Sequence, residues 1–184
     1  MSQNYTQILF EMIGAPSSED LFPSGSVEGF LGRRLPEDFI SLMSAYGSVV
    51  SVDEDETLSI NVFGLSEMGV EDFINSRNQP IVYMAERVSK FLLEGESGEI
   101  DPSLVLSRDP YNLFSVGEIA ERPLSLFYDQ EFCGWTVIVA NGGYWWQFKG
   151  GICELLVRIS SRDIDIPYLE DFVSQGVSFS RGDI

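Results

Sequence analysis

Apolar residues along the chain recur at two spacings, one typical of helices and one typical of strands. Ile8, Leu9, Met12 and Ile13 lie at helical spacing and predict an amphipathic helix over 3–13 that ends at Gly14. Similar spacing predicts further helices over 27–31, 36–46, 67–76, 81–93 and 167–175. Short apolar or alternating runs predict strands over 49–52, 58–63, 104–106, 111–116, 124–127, 136–140, 144–148 and 153–159. Helices at both ends of a series of strands predict a single α+β domain, with a central, mostly antiparallel β-sheet flanked by helices.

The helix predicted over 36–46 carries signals at both ends. Pro36 suits the first helical position, because an N–H there would have no intrahelical partner. Glu37 and Asp38 place negative charge at the positive end of the helix dipole. Gly47 stands where a left-handed residue would end the helix. The apolar face consists of Leu35, Phe39, Leu42, Met43 and Tyr46.

Polar and glycine-containing segments separate the predicted strands. The acidic run Asp53-Glu54-Asp55-Glu56 joins two of them and is predicted to be a solvated hairpin turn. Turns are also predicted at 129–134 and at 141–143, where Asn141-Gly142 favours the positive φ angles of a tight hairpin. The polar, glycine-containing segment 94–102 is predicted to be a loop or irregular insertion. We expect the tail at 176–184 to fray.

The net charge of the chain limits the classes of partner that it can bind. It has 29 acidic and 11 basic residues, for a formal net charge of −18. Nucleic acids and anionic membranes would be repelled, whereas a basic protein would be attracted and its association accelerated. Plain solubility explains the acidity equally well. No apolar run reaches the roughly 18 residues needed to cross a bilayer, and residues 1–4 lack the basic start of a secretory signal, so we expect a cytoplasmic protein.

The residue inventory argues against most forms of catalysis. The chain contains no histidine, which removes the usual Ser-His-Asp and Cys-His mechanisms and imidazole metal sites. No glycine-rich phosphate loop is present. Cys133 and Cys153 lie in strand-like apolar surroundings, so both are expected to be buried, inert and reduced thiols, with a single bridge as the alternative. We therefore expect no catalytic residue, cofactor or metal. A hydrolase that uses only carboxylates remains the enzymatic alternative.

Several segments, in the same order along the chain, resemble the signature of the SUKH superfamily, the Smi/Knr-type proteins. The Leu35-Pro36 pair opens an acidic and then aromatic helix, and the basic pair Arg33-Arg34 before it is similar to the family's lead-in. The helix ends in Tyr46-Gly47-Ser48, where the family has Asn-Gly-Gly. Further resemblances are a strand with a Phe-Gly-Leu turn at 60–68, a strand–turn–strand unit at 123–135 and a closing helix at 166–173. The resemblance covers about residues 25–175 of one domain, 1–184, with an N-terminal helix and loop at 1–24 and a tail at 176–184.

The resemblance implies a SUKH fold and a non-enzymatic protein-binding module. Its expected function is that of an immunity protein, which neutralises a cognate polymorphic toxin, often a nuclease, by direct binding. A nuclease carries a basic substrate groove, and an acidic inhibitor complements such a groove. The expected partner is therefore a basic toxin domain. The same family also implies an alternative, a regulatory scaffold of the kind that acts in cell-wall assembly.

Charge and expected exposure, and no fixed family motif, select the candidate partner-binding residues. They are Asp53, Glu54, Asp55, Glu56, Asp129, Glu131 and Trp145. In a strand over 144–148, Trp145 and Gln147 face one side, and Tyr144, Trp146 and Phe148 face the other. Trp145 therefore has two interpretations, a core residue or an exposed anchor for a partner.

Overall fold

The computed structural model describes residues 4–17, 22–52, 57–62, 65–88, 112–141 and 144–182 of the chain. The helices are α1 (Tyr5–Ile13), α2 (Ser24–Leu31), α3 (Glu37–Tyr46), α4 (Leu65–Met68), α5 (Val70–Val88), α6 (Ile152–Ser161) and α7 (Glu170–Gln175). The strands are β1 (Ser48–Ser51), β2 (Leu58–Asn61), β3 (Leu113–Ile119), β4 (Arg122–Asp129), β5 (Gly134–Asn141), β6 (Tyr144–Phe148) and β7 (Phe179–Arg181). They form one seven-stranded sheet in the order β6-β5-β4-β3-β2-β1-β7, and every neighbouring pair is antiparallel. This confirms the predicted α+β domain, with an antiparallel sheet packed against helices.

The main hydrophobic core lies between one face of the sheet and the helices. Phe39 of α3 and Phe114 of β3 are both fully buried, and their rings meet edge to face with centroids 5.9 Å apart. Phe73 of α5 contacts Phe114 in the same way, at 6.3 Å. Edge-to-face aromatic pairs of this kind add to the stabilisation that comes from burying apolar area. The predicted apolar face of α3 is therefore a core face.

A second, smaller cluster is buried on the opposite face of the sheet. It consists of Ile81, Leu113, Phe127, Ile138, Ala140 and Trp145. Helix α5 reaches both clusters, because Phe73 and Ile74 belong to the main core and Ile81 belongs to the second one. Beside β3 its Asn78 side chain donates to Leu113 O at 2.6 Å and accepts from Ser115 N at 3.0 Å. The Asn78 side-chain amide thus satisfies one backbone C=O and one backbone N–H of β3, in the part of β3 that does not pair with β2.

The segment predicted as a strand over 153–159 is instead helix α6, so that prediction is wrong. Six of the ten residues of α6 are buried. Only Glu154 and Arg158 interrupt the apolar residues of 152–159, and so short an apolar stretch cannot be assigned to strand or helix by periodicity alone. The deciding contact is tertiary. Asp38 of α3 accepts a hydrogen bond from Cys153 N at 3.1 Å through its Oδ2 atom, and the carboxylate therefore caps the first turn of α6 from another helix.

Gly151 makes this close approach possible. A Cβ at position 151 would overlap Oδ2 of Asp38 and lie 2.9 Å from its Cγ. Burial raises the pKa of Asp38, although hydrogen bonds from the N–H groups of Cys153 and Phe39 act in the opposite direction. The carboxylate is therefore held in an unfavourable setting by the amides that it satisfies.

Replacing Asp38 by alanine is expected to lower the free energy of unfolding by about 1 kcal/mol, the usual loss when a helix cap is removed. The matched control is Glu37→Ala, which removes the neighbouring exposed carboxylate from the same helical turn and should cost only a few tenths of a kcal/mol. Urea unfolding followed by tryptophan fluorescence compares the two variants. Equal losses would contradict the capping role of Asp38.

Three further predictions differ from the structure at element boundaries. Helix α5 is continuous from Val70 to Val88 and contains Pro80, where two separate helices over 67–76 and 81–93 were predicted. Pro36, with φ −59° and ψ 133°, lies just before α3 instead of at its first position. The predicted fraying tail contains β7, which pairs with β1. The strand predicted at 104–106 and the insertion at 94–102 lie outside the described residues.

Candidate partner-binding surface

Of the acidic residues selected from the sequence, the structure describes Asp129 and Glu131. Asp53, Glu54, Asp55 and Glu56 are outside the described residues, but they join Val52 to Thr57 along the chain. Thr57 O accepts from Ala120 N at 2.5 Å, at the end of the sheet where β3 turns into β4. Asp129 and Glu131 lie at the other end, where β4 turns into β5. Strand β4 spans roughly 23 Å at about 3.3 Å per residue, so Thr57 and the turn between β4 and β5 lie at opposite ends of the sheet.

Trp145 lies in the second hydrophobic cluster and is fully buried, with an exposure of 0%. The interpretation of Trp145 as an exposed anchor is therefore wrong, because Ile81 and the sheet residues Leu113 and Ile138 pack in the same cluster. The predicted alternation along β6 is confirmed, since Trp146 and Phe148 stack together and pack against the main core. Trp145 cannot contact a partner in this conformation.

Asp129 organises the turn between β4 and β5. Its Oδ1 atom accepts from Glu131 N at 2.9 Å and from Phe132 N at 3.1 Å, and its Oδ2 atom accepts from Gln147 Nε2 at 3.0 Å. Partial burial raises the pKa of Asp129, but these hydrogen bonds and the charge of Lys149 together hold it below its usual value. Both carboxylate oxygens are thus engaged inside the turn.

The turn that Asp129 organises presents four exposed residues, 130–133. We call residues 129–134 the β4–β5 tip. Glu131 is exposed, and Phe132 is 49% exposed, which makes Phe132 one of the few large apolar side chains on the described surface. Cys133 adopts a positive φ of 54°, and its thiol donates to Gln130 O at 3.3 Å. The tip is therefore closed by hydrogen bonds at both of its ends.

An aromatic and guanidinium cluster supports the base of the β4–β5 tip. The rings of Tyr128 and Trp135, paired across β4 and β5, meet edge to face at 5.5 Å. The Arg33 guanidinium lies 4.5 Å from the centroid of the Tyr128 ring, and Trp135 Nε1 donates to Arg34 O at 2.6 Å. We call Arg33, Tyr128 and Trp135 the aromatic cluster. Sequence reasoning missed this cluster, although the turn predicted at 129–134 would have paired Tyr128 with Trp135.

A groove of about 420 Å³ lies at the other end of the sheet, near the turn between β3 and β4. It is lined by Val52, Thr57, Ala120, Phe172, Gln175, Gly176, Val177 and Ser178. A carboxylate-only hydrolase needs two acids roughly 5–10 Å apart in a cleft. Among the described residues that line this groove none is acidic, so the described lining supplies no carboxylate pair.

Cys153 is the most strongly shifted titratable group of the described chain. Burial, together with the charge of Asp38, raises the pKa of Cys153 to about 12, although a hydrogen bond with Thr6 acts in the opposite direction. A thiol that stays protonated is a poor nucleophile. Cys133 is exposed and Cys153 is buried, and both are free, so the alternative of a bridge between them is wrong. Within the described ranges no group of three His, Cys, Asp or Glu residues could hold a metal ion.

The class of this protein is defined by its fold, a single α+β domain with a seven-stranded antiparallel sheet. No family model, no curated protein and no solved structure matches the chain. The SUKH resemblance therefore stays a hypothesis. None of the helices that the structure describes is both long enough and apolar enough to span a membrane.

Proposed function

We propose that the chain is a non-enzymatic protein-binding module of the immunity type, which neutralises a basic toxin domain in the cytoplasm by direct binding. The observation that carries the proposal is the excess of 29 acidic over 11 basic residues. The negative electrostatic potential of such a chain raises its association rate with a basic surface and repels nucleic acid. The SUKH resemblance supplies the immunity role, and a toxin that acts inside the cell would have to be met there.

The described surface favours binding over catalysis. One of its exposed aromatic side chains is Phe132, which lies next to Glu131 at a sheet end. The buried pair Asp38 and Cys153 is engaged with backbone groups and serves the packing of α6 on α3. A protein-binding role needs exposed anchors and charge complementarity, and it needs no reactive group.

Charge reversal separates a functional acidic surface from an acidic surface that serves only solubility. We expect the replacement of Asp53, Glu54, Asp55 and Glu56 by lysine to reduce the retention of a basic protein from lysate of the source organism. The same change should flatten the salt dependence of the association rate of that protein. Affinity capture at low and high salt, followed by kinetics with the purified captured protein, measures both effects.

The matched control carries the same net charge with a different distribution. It replaces Glu11, Glu37, Glu71 and Asp72 with lysine, four exposed acids on α1, α3 and α5. If both variants lose association rate equally, the long-range field acts as a whole and the acidic run is no contact site. Retention of no basic protein by the wild type would contradict the proposal. Capture of a partner whose affinity ignores salt would favour the scaffold alternative.

A further inference from the structure

We propose that the β4–β5 tip anchors the partner interface, with Phe132 entering an apolar pocket on the partner and Glu131 pairing with a lysine or arginine at the rim of that pocket. The inference rests on the proposed function, because it takes the partner to be a basic protein. It adds the location of the interface and the chemistry of the surface that fits it.

The first argument is the exposure of a large aromatic side chain in a protruding turn. Phe132 is 49% exposed, so a partner would remove a sizeable apolar area from water on binding. Part of the ring packs over the backbone, since a Cβ at Gly134 would lie 3.3 Å from Cδ1 and Cε1 of Phe132. Gly134 therefore lets the ring rest against the turn and fixes its direction.

The second argument is the rigidity of the β4–β5 tip. The Asp129 carboxylate accepts from the N–H groups of both Glu131 and Phe132, and Gln147 of β6 holds its second oxygen. Gln147 in turn donates to Thr136 Oγ1 at 3.0 Å, which ties the turn to the buried part of β5. A turn whose backbone is held in this way loses little conformational freedom on binding, and such preorganisation favours affinity.

The third argument is the composition around the anchor. Tyr128, Trp135 and Arg33 pack together directly below the β4–β5 tip, and tyrosine, tryptophan and arginine are the residue types that dominate interface hot spots. Glu131 is exposed beside Phe132, so the anchor stands next to a negative charge on a strongly acidic protein. A pocket with a cationic rim complements this pair.

The same geometry assigns different roles to the two acids predicted as partner contacts. Glu131 is exposed to solvent, and both oxygens of Asp129 accept hydrogen bonds from within the chain. Asp129 is thus a positioning residue that orients Phe132 and Glu131. Glu131 keeps the predicted role of a contact.

The probe for this inference is a random peptide library displayed on phage and selected on the immobilised full chain. We expect the enriched peptides to combine an aromatic or long aliphatic residue with a nearby lysine or arginine. Binding of these peptides to Phe132→Ala should fall by roughly 30-fold, the loss expected for a hot-spot residue. Tyr83→Ala is the matched control, because Tyr83 is a similarly exposed aromatic residue, at 56%, on α5, and it should bind as the wild type does.

A pair of substitutions tests the positioning role. In Asp129→Asn the Oδ1 atom can still accept from both N–H groups of the turn, whereas Asp129→Ala removes the acceptor. We expect Asp129→Asn to retain most of the binding and Asp129→Ala to lose roughly tenfold. Equal losses would show that the charge of Asp129 contacts the ligand directly and would overturn the positioning role.

Two outcomes overturn the anchor itself. The first is a set of enriched peptides that bind Phe132→Ala as tightly as the wild type, and the second is the absence of any enrichment. If either occurs while the wild type still captures a basic protein in a salt-dependent manner, the proposed function stands and the interface lies elsewhere. If peptides bind through Phe132 but no basic protein is captured, the site stands and the immunity role fails.

Discussion

Gly117→Ala is expected to lower the free energy of unfolding by about 3 kcal/mol or more. A Cβ at position 117 would overlap the carbonyl oxygen of Ser59 and lie 2.9 Å from Cα of Ile60. Both atoms belong to the backbone of β2, which cannot rotate away as a side chain could. Strands β2 and β3 would have to separate, and the hydrogen bonds around the Ile60 and Gly117 pair would be lost at about 1 kcal/mol each.

The control for Gly117→Ala is a second replacement of glycine by alanine, one that should raise the free energy of unfolding. Gly29 lies inside α2, and a Cβ there would meet nothing within 4 Å. Alanine at this exposed helical position should raise the free energy of unfolding by about 0.5–1 kcal/mol, because glycine is the poorer helix former. Urea unfolding measures both variants. A Gly117→Ala protein as stable as the wild type would mean that β2 and β3 do not pair in this register.

The hairpins from β3 to β6 could be predicted because their signals are local. Each strand contains a short run rich in apolar residues, and the polar segments 129–134 and 141–143 of the sequence separate the runs. Ala120 and Glu121 both adopt positive φ, 46° and 63°, in the tight turn between β3 and β4. Neither residue type announces such a turn, yet the flanking apolar runs were enough to place the strands.

Helix α6 and strand β7 could not be predicted because distant residues decide them. Residues 152–159 are almost entirely apolar, so both helix and strand would bury them. The cap supplied by Asp38 comes from α3, and the partner of β7 is β1, near the opposite end of the sequence. A three-residue strand such as β7 has too few residues for a periodic signal.

The candidate surface was predicted only in part, for a related reason. Strand alternation showed that Trp145 and Trp146 face opposite sides of the sheet, but it could not show that both sides are buried. That depends on α5, whose Ile81 lies against the second face. The contact between Arg33 and Tyr128 likewise joins the lead-in of α3 to β4, and no local pattern relates those two segments.

Trp145→Ala is expected to lower the free energy of unfolding by about 3–5 kcal/mol, the usual range for removing a buried tryptophan. The side chain is 0% exposed and packs in the second hydrophobic cluster, so truncation removes apolar contacts and leaves a cavity that the rigid sheet cannot close. Phe132→Ala, in the β4–β5 tip, should change the same quantity by no more than about 0.5 kcal/mol, because Phe132 is half exposed. Urea unfolding followed by circular dichroism compares the two without relying on the lost tryptophan.

Trp145 and Phe132 should show the reverse order of effects when peptide binding is measured. Trp145→Phe keeps an apolar ring in the cluster, so it should stay folded, and it should bind the selected peptides as the wild type does. Phe132→Ala should remain as stable as the wild type and lose those peptides. Loss of peptide binding by a stable Trp145→Phe protein would place Trp145 at the surface and contradict the burial of this face of the sheet. The described packing assigns Trp145 to the core, where it stabilises the fold, and our proposal assigns recognition to Phe132.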